Sequence, residues 1–454
     1  MNGIDIKETA RQLTERIWNR DHASVTALIA GLSPFDINLI VSRLDASDRS
    51  ELLEVLDPVD AANLLLNLKE LSPHQLLTQL SPEAAAKILH ELPSNIETDF
   101  VAAMKPAAAE RILSLLPRQE LADLRVLAKY SPDVAGGLMV TEFLQFPEAA
   151  TVQQVVDDLR ANAASYTNYV IQYIYVTRDD GLLAGVVKIR DLLLSGEATA
   201  LGALIGDTPV AVDHQTPIEE LRDTFDRYRF LGLPVVDDGR LVGVVRRAAV
   251  EEAIAQKTAR QFRLVQGIIG GEEYRTMPLR VRSSRRLAWL SANIVLNVIA
   301  ASVIVYFEET LARLIALAAF LPIISDMSGC SGNQAVAVNM RELSLGLVRP
   351  SEVMRVWLKE VSVGLINGVA LGILLGLVAW LWRGVPTLGV VVGAALALNT
   401  IVAVSIGGSV PLILKGFGVD PALASGPILT TVTDICGFFF ALGFAAFALS
   451  HGYL

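Results

Sequence analysis

The sequence predicts a multi-domain membrane protein. A soluble front half, built from a helical solenoid and a duplicated α/β module, precedes an all-α membrane half of five spans. Three observations carry this class. Charge divides the chain: the first 282 residues hold 29 basic and 40 acidic side chains, the last 172 hold 9 and 8. A proline recurs every 24 residues, at Pro34, Pro58, Pro82 and Pro106. Two strand–turn–strand–helix patterns stand in tandem after residue 137. The 454 residues suffice for about three domains, and the mean hydropathy of +0.46 is high for a soluble protein.

Residues 1–136 form the solenoid. Each periodic proline opens an amphipathic stretch, as in "LSPFDINLIVSRL" and "LSPEAAAKILHEL". Serine or aspartate before it is a good N-cap, and proline fits the first helical position. A fixed period of this kind indicates stacked helical hairpins. Residues 137–200 and 201–256 form the two α/β modules. "IQYIYVTRDDGLLAGVVKIRDLLL" and "GLPVVDDGRLVGVVRRAAVEEAI" each read strand, Asp/Gly turn, strand, helix. Residues 257–282 form a polar connecting helix.

Residues 283–454 hold five apolar spans, near 287–307, 314–340, 361–382, 385–414 and 422–449. Each reaches the ~20 residues a spanning helix needs, and the two long ones are expected to tilt or break at Pro322 and Pro411. Arg280, Arg282, Arg285 and Arg286 precede the first span, and Arg341, Arg349, Arg355 and Lys359 separate the second from the third. That bias places the N-terminus in the cytoplasm and the C-terminus outside. Asp434, within "ILTTVTDICGFFF", is read as the one deeply placed acid. A carboxylate at membrane depth costs about 2.5–3.5 kcal/mol or more, so it calls for a cation or a proton. In the second span, "LPIISDMSGCSGNQ" interrupts the apolar run with small and polar residues.

The acidic front half argues against nucleic acid, whose phosphates need a basic face. No apolar run opens the chain, so no signal peptide is expected. Cys330 and Cys436 do not define a disulfide framework. No GxxxxGK[ST] motif is present, which argues against primary active transport. An enzyme is not expected: Asp434 has no paired base, and His451 lies at the extreme C-terminus.

The order of these parts, with "SPDVAGGLMVTEFLQFP" at 131–147, "FEETLARLIALAAFLPIISDMSGCSGNQ" at 307–334 and "GVDPALASGPILTTVTDICGF" at 418–438, resembles the MgtE family of bacterial magnesium channels/transporters. The paired module resembles two CBS domains. The resemblance implies a homodimer in the bacterial cytoplasmic membrane, conducting Mg²⁺ passively through a pore between the subunits. It makes Asp434 a metal site, with Asp420 as a second acid at the cytoplasmic mouth or, alternatively, a helix N-cap. It lines the pore with Pro322, Gly329, Gly332, Asn333, Thr430, Thr431 and Gly437.

Several of the family's Mg²⁺-sensing acids are missing. Ala248 and Ala249 stand where an Asp pair is usual, Arg227-Tyr228-Arg229 replaces K-Y-D, and "AQKTARQFR" carries no acid in the connector. Glu252 and Asp191 remain as regulatory candidates. Lys188 with Asp191, and Arg246 with Ala249, occupy the nucleotide-contacting places and speak against nucleotide sensing. Ser328-Gly329-Cys330 replaces G-G-N, and Cys436 lies two residues past Asp434. Thiolates are soft ligands, so a Co²⁺, Ni²⁺ or Zn²⁺ transporter of the same fold is the first alternative. A non-conducting membrane-anchored regulator is the second.

Overall fold

The computed structural model describes every residue except 1–4, 69–72, 165, 167–168, 207–208, 269, 271–272, 274–276 and 345. It divides into two compact units, residues 1–256 with 274–276, and residues 257–273 with 277–454.

The first unit opens with helices α1 (Ile6–Trp18), α2 (His22–Ala30), α3 (Pro34–Val41), α4 (Ala46–Val55), α5 (Pro58–Asn67), α6 (Pro73–Leu77), α7 (Pro82–His90), α8 (Ser94–Ala103), α9 (Pro106–Leu113) and α10 (Arg118–Leu127). The four periodic prolines are the first residues of α3, α5, α7 and α9, where a missing N–H is no loss. Ser33 and Ser81 cap their helices by accepting from the amides of Asp36 and Ala84; Asp57 sits at the same place without a side-chain bond. Alternate helices pack together: α5 on α7 and α7 on α9, α6 on α8 and α8 on α10. The 24-residue period is thus one hairpin, and its apolar faces join in a continuous core from Leu13 to Leu124. Each fully buried leucine there contributes on the order of 1.5–3 kcal/mol.

A short helix α11 (Ala135–Leu138) leads into two three-stranded sheets. In the first, β1 (Leu144–Pro147) runs parallel to β2 (Tyr173–Thr177), which pairs antiparallel with β3 (Leu183–Lys188). In the second, β4 (Val212–Asp213), β5 (Gly232–Asp237) and β6 (Arg240–Arg246) repeat that order and sense. The leading strand of each sheet was not read from the sequence. α12 (Val152–Ala161) and α13 (Ile189–Leu193) serve the first sheet. α14 (Ile218–Tyr228) and α15 (Arg247–Val265) serve the second. Packing crosses the sequence order. Leu127, Ala135, Leu138 and Met139 fill the core of the second module, whereas Leu201 and Leu204 pack on the first. The connector expected over 257–282 is helical to Val265 as part of α15, and helical again from Leu279.

The second unit contains α16 (Leu279–Tyr306), α17 (Glu308–Arg313), α18 (Leu321–Ser344), α19 (Val353–Arg383), α20 (Pro386–Gly416) and α21 (Pro421–Ser450). Among the described residues, five helices are long and apolar enough to cross a membrane. Before α16, the nearly buried Glu273 accepts from Arg282 at 3.0 Å and from Arg286, so two of the arginines flanking the first span are paired. The chain breaks at Leu314–Phe320, just before Pro322, through a tighter turn. At Pro411, of the expected tilt or break, no break occurs: α20 runs unbroken through it.

α20 is the most enclosed span, and glycine explains how. Gly368, Gly372 and Gly376 on α19 face Ala397, Gly393 and Gly389 on α20. A Cβ at Gly372 would stand 2.6 Å from the carbonyl oxygen of Gly393, and one at Gly376 2.8 Å from that of Gly389. Small residues four apart bring two backbones into contact, the main source of packing energy where lipid is as apolar as the side chains.

Candidate ion site on the membrane helices

α18 and α21 both pack on α20, and each has one face toward it and another turned away. The inward face is built by close approach. A Cβ at Gly332 would lie 2.9 Å from the carbonyl oxygen of Ala403 and 2.7 Å from Leu429 Cδ1. A Cβ at Gly437 would lie 2.7 Å from Asn399 Nδ2. Asn399, fully buried on α20, donates from that nitrogen to the carbonyl of Thr433 at 3.0 Å. Gly332 and Gly437, expected along the pore, therefore lie between helices of one protomer: each is buried, and any side chain there would collide. Asn399, which holds α21 to α20, was not singled out in the sequence; its signal was an amide inside an otherwise apolar run.

The outward face carries the polar residues. On α18, Pro322, Asp326 and Asn333 are exposed and Gly329 is half-exposed, with no atom within 4 Å of where its Cβ would be. Positions 322, 326, 329 and 333 fall at i, i+4, i+7 and i+11, one stripe of a helix. On α21, Thr430 is exposed, and Thr431 and Asp434 are half-exposed. The threonine hydroxyls donate to their own helix: Thr431 to the carbonyl of Pro427 at 2.7 Å, Thr430 to that of Gly426 at 3.1 Å. Ser325 Oγ donates to Asp434 Oδ1, tying α18 to α21 at the carboxylate. Asp420 is the N-cap of α21, its side chain accepting from the amide of Ala422 at 2.9 Å.

Asp434 is not the lone acid at depth. Asp326 lies within the second span and Glu360 within the third. Glu360 accepts from Asn339 Nδ2 at 3.4 Å and rests against Gly408, where a Cβ would stand 2.6 Å from its Cγ. Asp326 accepts no hydrogen bond among the described residues. Cys330 is exposed and Cys436 half-buried. Among the described residues no group of three or more His, Cys, Asp or Glu side chains is placed to hold a metal ion within the chain.

The first unit holds a different acidic group. Glu97 on α8 is 3% exposed, against Glu120 on α10 and near Glu142. Burial, then the neighbouring Glu120, pushes Glu97 up to about 9, so at neutral pH the pair holds a proton. His90 reaches Glu120 at 2.7 Å, and Ser94 donates through amide and hydroxyl to Glu142, both at 3.0 Å. Of the regulatory candidates, Asp191 accepts from its neighbour Arg190 at 3.0 Å on the surface, and Glu252 is exposed on α15. Arg247 bridges α14 and α15, reaching Asp226 at 3.3 Å and Glu251 at 3.6 Å.

Comparison with known proteins follows the same division. The family model described as a divalent cation transporter matches residues 321–444, that of the MgtE intracellular N domain matches 32–133, and that of the CBS domain matches 202–256. The magnesium transporter MgtE of Thermus thermophilus is 33% identical over 331 residues, 72% of this chain and 73% of that protein. That of Bacillus subtilis is 31% identical over 323 residues, 71% of each. The crystal structure of the soluble part of a magnesium transporter aligns over 56% of this chain and all of that one, at 25% identity and TM-score 0.51. The cytosolic domain of the Mg²⁺ channel MgtE in complex with ATP aligns over 54% of this chain and 99% of that one, at 31% identity and TM-score 0.49. A helical N domain, a CBS pair and five candidate membrane spans, matched by relatives along most of their length, mean that this chain belongs to the MgtE family of magnesium transporters.

Proposed function

We propose that the chain conducts Mg²⁺ passively across the bacterial cytoplasmic membrane, N-terminus inside, through a pore formed between two copies. The observation that carries this reading is the outward polar face of α18 and α21. Within one protomer Asp434, Thr430, Asn333 and Asp326 are left partly or wholly uncovered at membrane depth. Polar groups there face a bundle interior or a water-filled path. A second copy across a two-fold axis covers them and brings a second Asp434 opposite the first. Two carboxylates so placed repel, and a divalent ion between them relieves the repulsion. Mg²⁺ sheds water reluctantly and meets carboxylates largely through its own shell.

The cytoplasmic half regulates weakly in this reading. With Ala248 and Ala249 in place of acids, the half-buried Arg247 still bridges the exposed Asp226 and Glu251, pairs worth about 0–1 kcal/mol each at such exposure. The test is Mg²⁺ uptake into liposomes holding the intact protein, driven by a Mg²⁺ gradient alone, with Mg²⁺ on the cytoplasmic face first low and then high. Uptake that persists in both states is expected. A requirement for nucleotide or a proton gradient, or no Mg²⁺ uptake at all, contradicts the proposal.

A further inference from the structure

We infer that Asp326 is a second ion-contacting carboxylate of the conduction path and that it tilts selectivity toward Mn²⁺ over Mg²⁺. The inference rests on the reading of Asp434 given above and names what that site prefers. Three observations place Asp326. It follows Ser325, whose hydroxyl donates to Asp434, so the two aspartates lie at one level of the bundle. It shares the α18 stripe of Pro322, Gly329 and Asn333, not the face packed on α20. It is exposed, and no described residue of the protomer donates to it.

An aspartate cannot stay in that setting against lipid. The penalty of about 2.5–3.5 kcal/mol or more is relieved only where water, a cation or a partner protomer covers it. Asn339 and Glu360 show the other solution, an acid met by an amide inside the protomer; Asp326 has none. Two copies then bring four carboxylates to one level instead of two. Two carboxylates suit an ion that keeps its water. Four supply enough oxygen ligands and charge to replace part of the shell. Mg²⁺ resists that replacement, whereas Mn²⁺ accepts the same oxygen ligands and yields its water readily. A site with more direct carboxylate contacts therefore binds Mn²⁺ more tightly relative to Mg²⁺.

The experiment uses the intact protein in liposomes and measures how much Mn²⁺ halves Mg²⁺ uptake, for the native chain, Asp326→Asn, Asp326→Glu and Asp434→Asn. Relative to its own Mg²⁺ uptake, Asp326→Asn is expected to need about tenfold more Mn²⁺ for half-inhibition, a loss of roughly 1.4 kcal/mol of preference. Asp326→Glu is expected to restore the native sensitivity, which a merely structural role would not do. Should the asparagine variant fail to insert, Asp326→Ser supplies the same neutral position. Mn²⁺ sensitivity unchanged on neutralising Asp326 overturns the inference while leaving Asp434 untouched. Mg²⁺ uptake that survives Asp434→Asn instead overturns the reading on which it rests.

Discussion

Glu97 and Asp326 are both carboxylic acids in costly places, and the protein treats them in opposite ways. Glu97 is sealed between α8 and α10 with Glu120 beside it, so its charge is suppressed and the pair keeps a proton. Asp326, with Asp434 at the same level, stands on the uncovered face of the membrane helices, where no described side chain of the protomer donates to Asp326. The first arrangement stores a proton in a closed fold. The second leaves charge to be met from outside the protomer, which is what a conduction path needs. Whether an acid is structural or functional thus depends less on depth than on whether its own chain completes its surroundings.

The largest expected separation of the two regions comes from the helix scaffold. Gly372→Leu drives a side chain into the Gly393 carbonyl, and overpacking of this kind costs about 1–3 kcal/mol. Thermal unfolding of the membrane unit should fall to lower temperature, while amide exchange in α8 and α10 stays as in the native chain. Loss of protection in both would tie the sealed pair to the membrane scaffold after all.

Next in size is a pH effect confined to the sealed pair. The folded Glu97 binds its proton more tightly than the unfolded chain does, so its contribution is complete below the unfolded pKa, near 4.5, and is lost as pH rises toward about 9. Protection of α8 and α10, corrected for the intrinsic pH dependence of exchange, should therefore decline between pH 5 and pH 9. In Glu97→Gln that slope should flatten. An equally steep slope in the variant would assign the proton elsewhere.

The smallest effect is expected at Ser325. Ser325→Ala removes one hydroxyl from Asp434 without removing the carboxylate, and a single such bond in a membrane bundle is worth about 0.6 kcal/mol. Mg²⁺ uptake should fall by a few-fold at most, with the ion preference kept. A complete loss would make the serine part of the ion site instead of a support for it.

Much of this was legible in the chain. Prolines at a 24-residue spacing mark the first residues of α3, α5, α7 and α9, because proline and its capping neighbour act locally. Five apolar runs announce five long helices, because length and hydropathy are also local. Facing is not. α20 is apolar along most of its length, so periodicity does not say which side meets a neighbour. Resemblance to the family places Gly332 and Gly437 along the pore, and the nearness of the Ala403 carbonyl and of Asn399 turns them inward. Asp326 lay within a motif read for its small residues, and its exposure emerges only once α18 has a packed side. The Glu97–Glu120 contact joins residues in different hairpins of the solenoid, which no repeat pattern reveals.

The central claim is that Mg²⁺ passes along the outward face of α18 and α21 by way of Asp434. The most direct measurement is Mg²⁺ uptake by intact Asp434→Asn protein beside the native protein, at matched incorporation into liposomes. The asparagine keeps size and a hydrogen-bonding oxygen for Ser325 but removes the charge. Uptake reduced to that of empty liposomes is the predicted result; uptake equal to the native protein's would place the ion path elsewhere in the membrane unit.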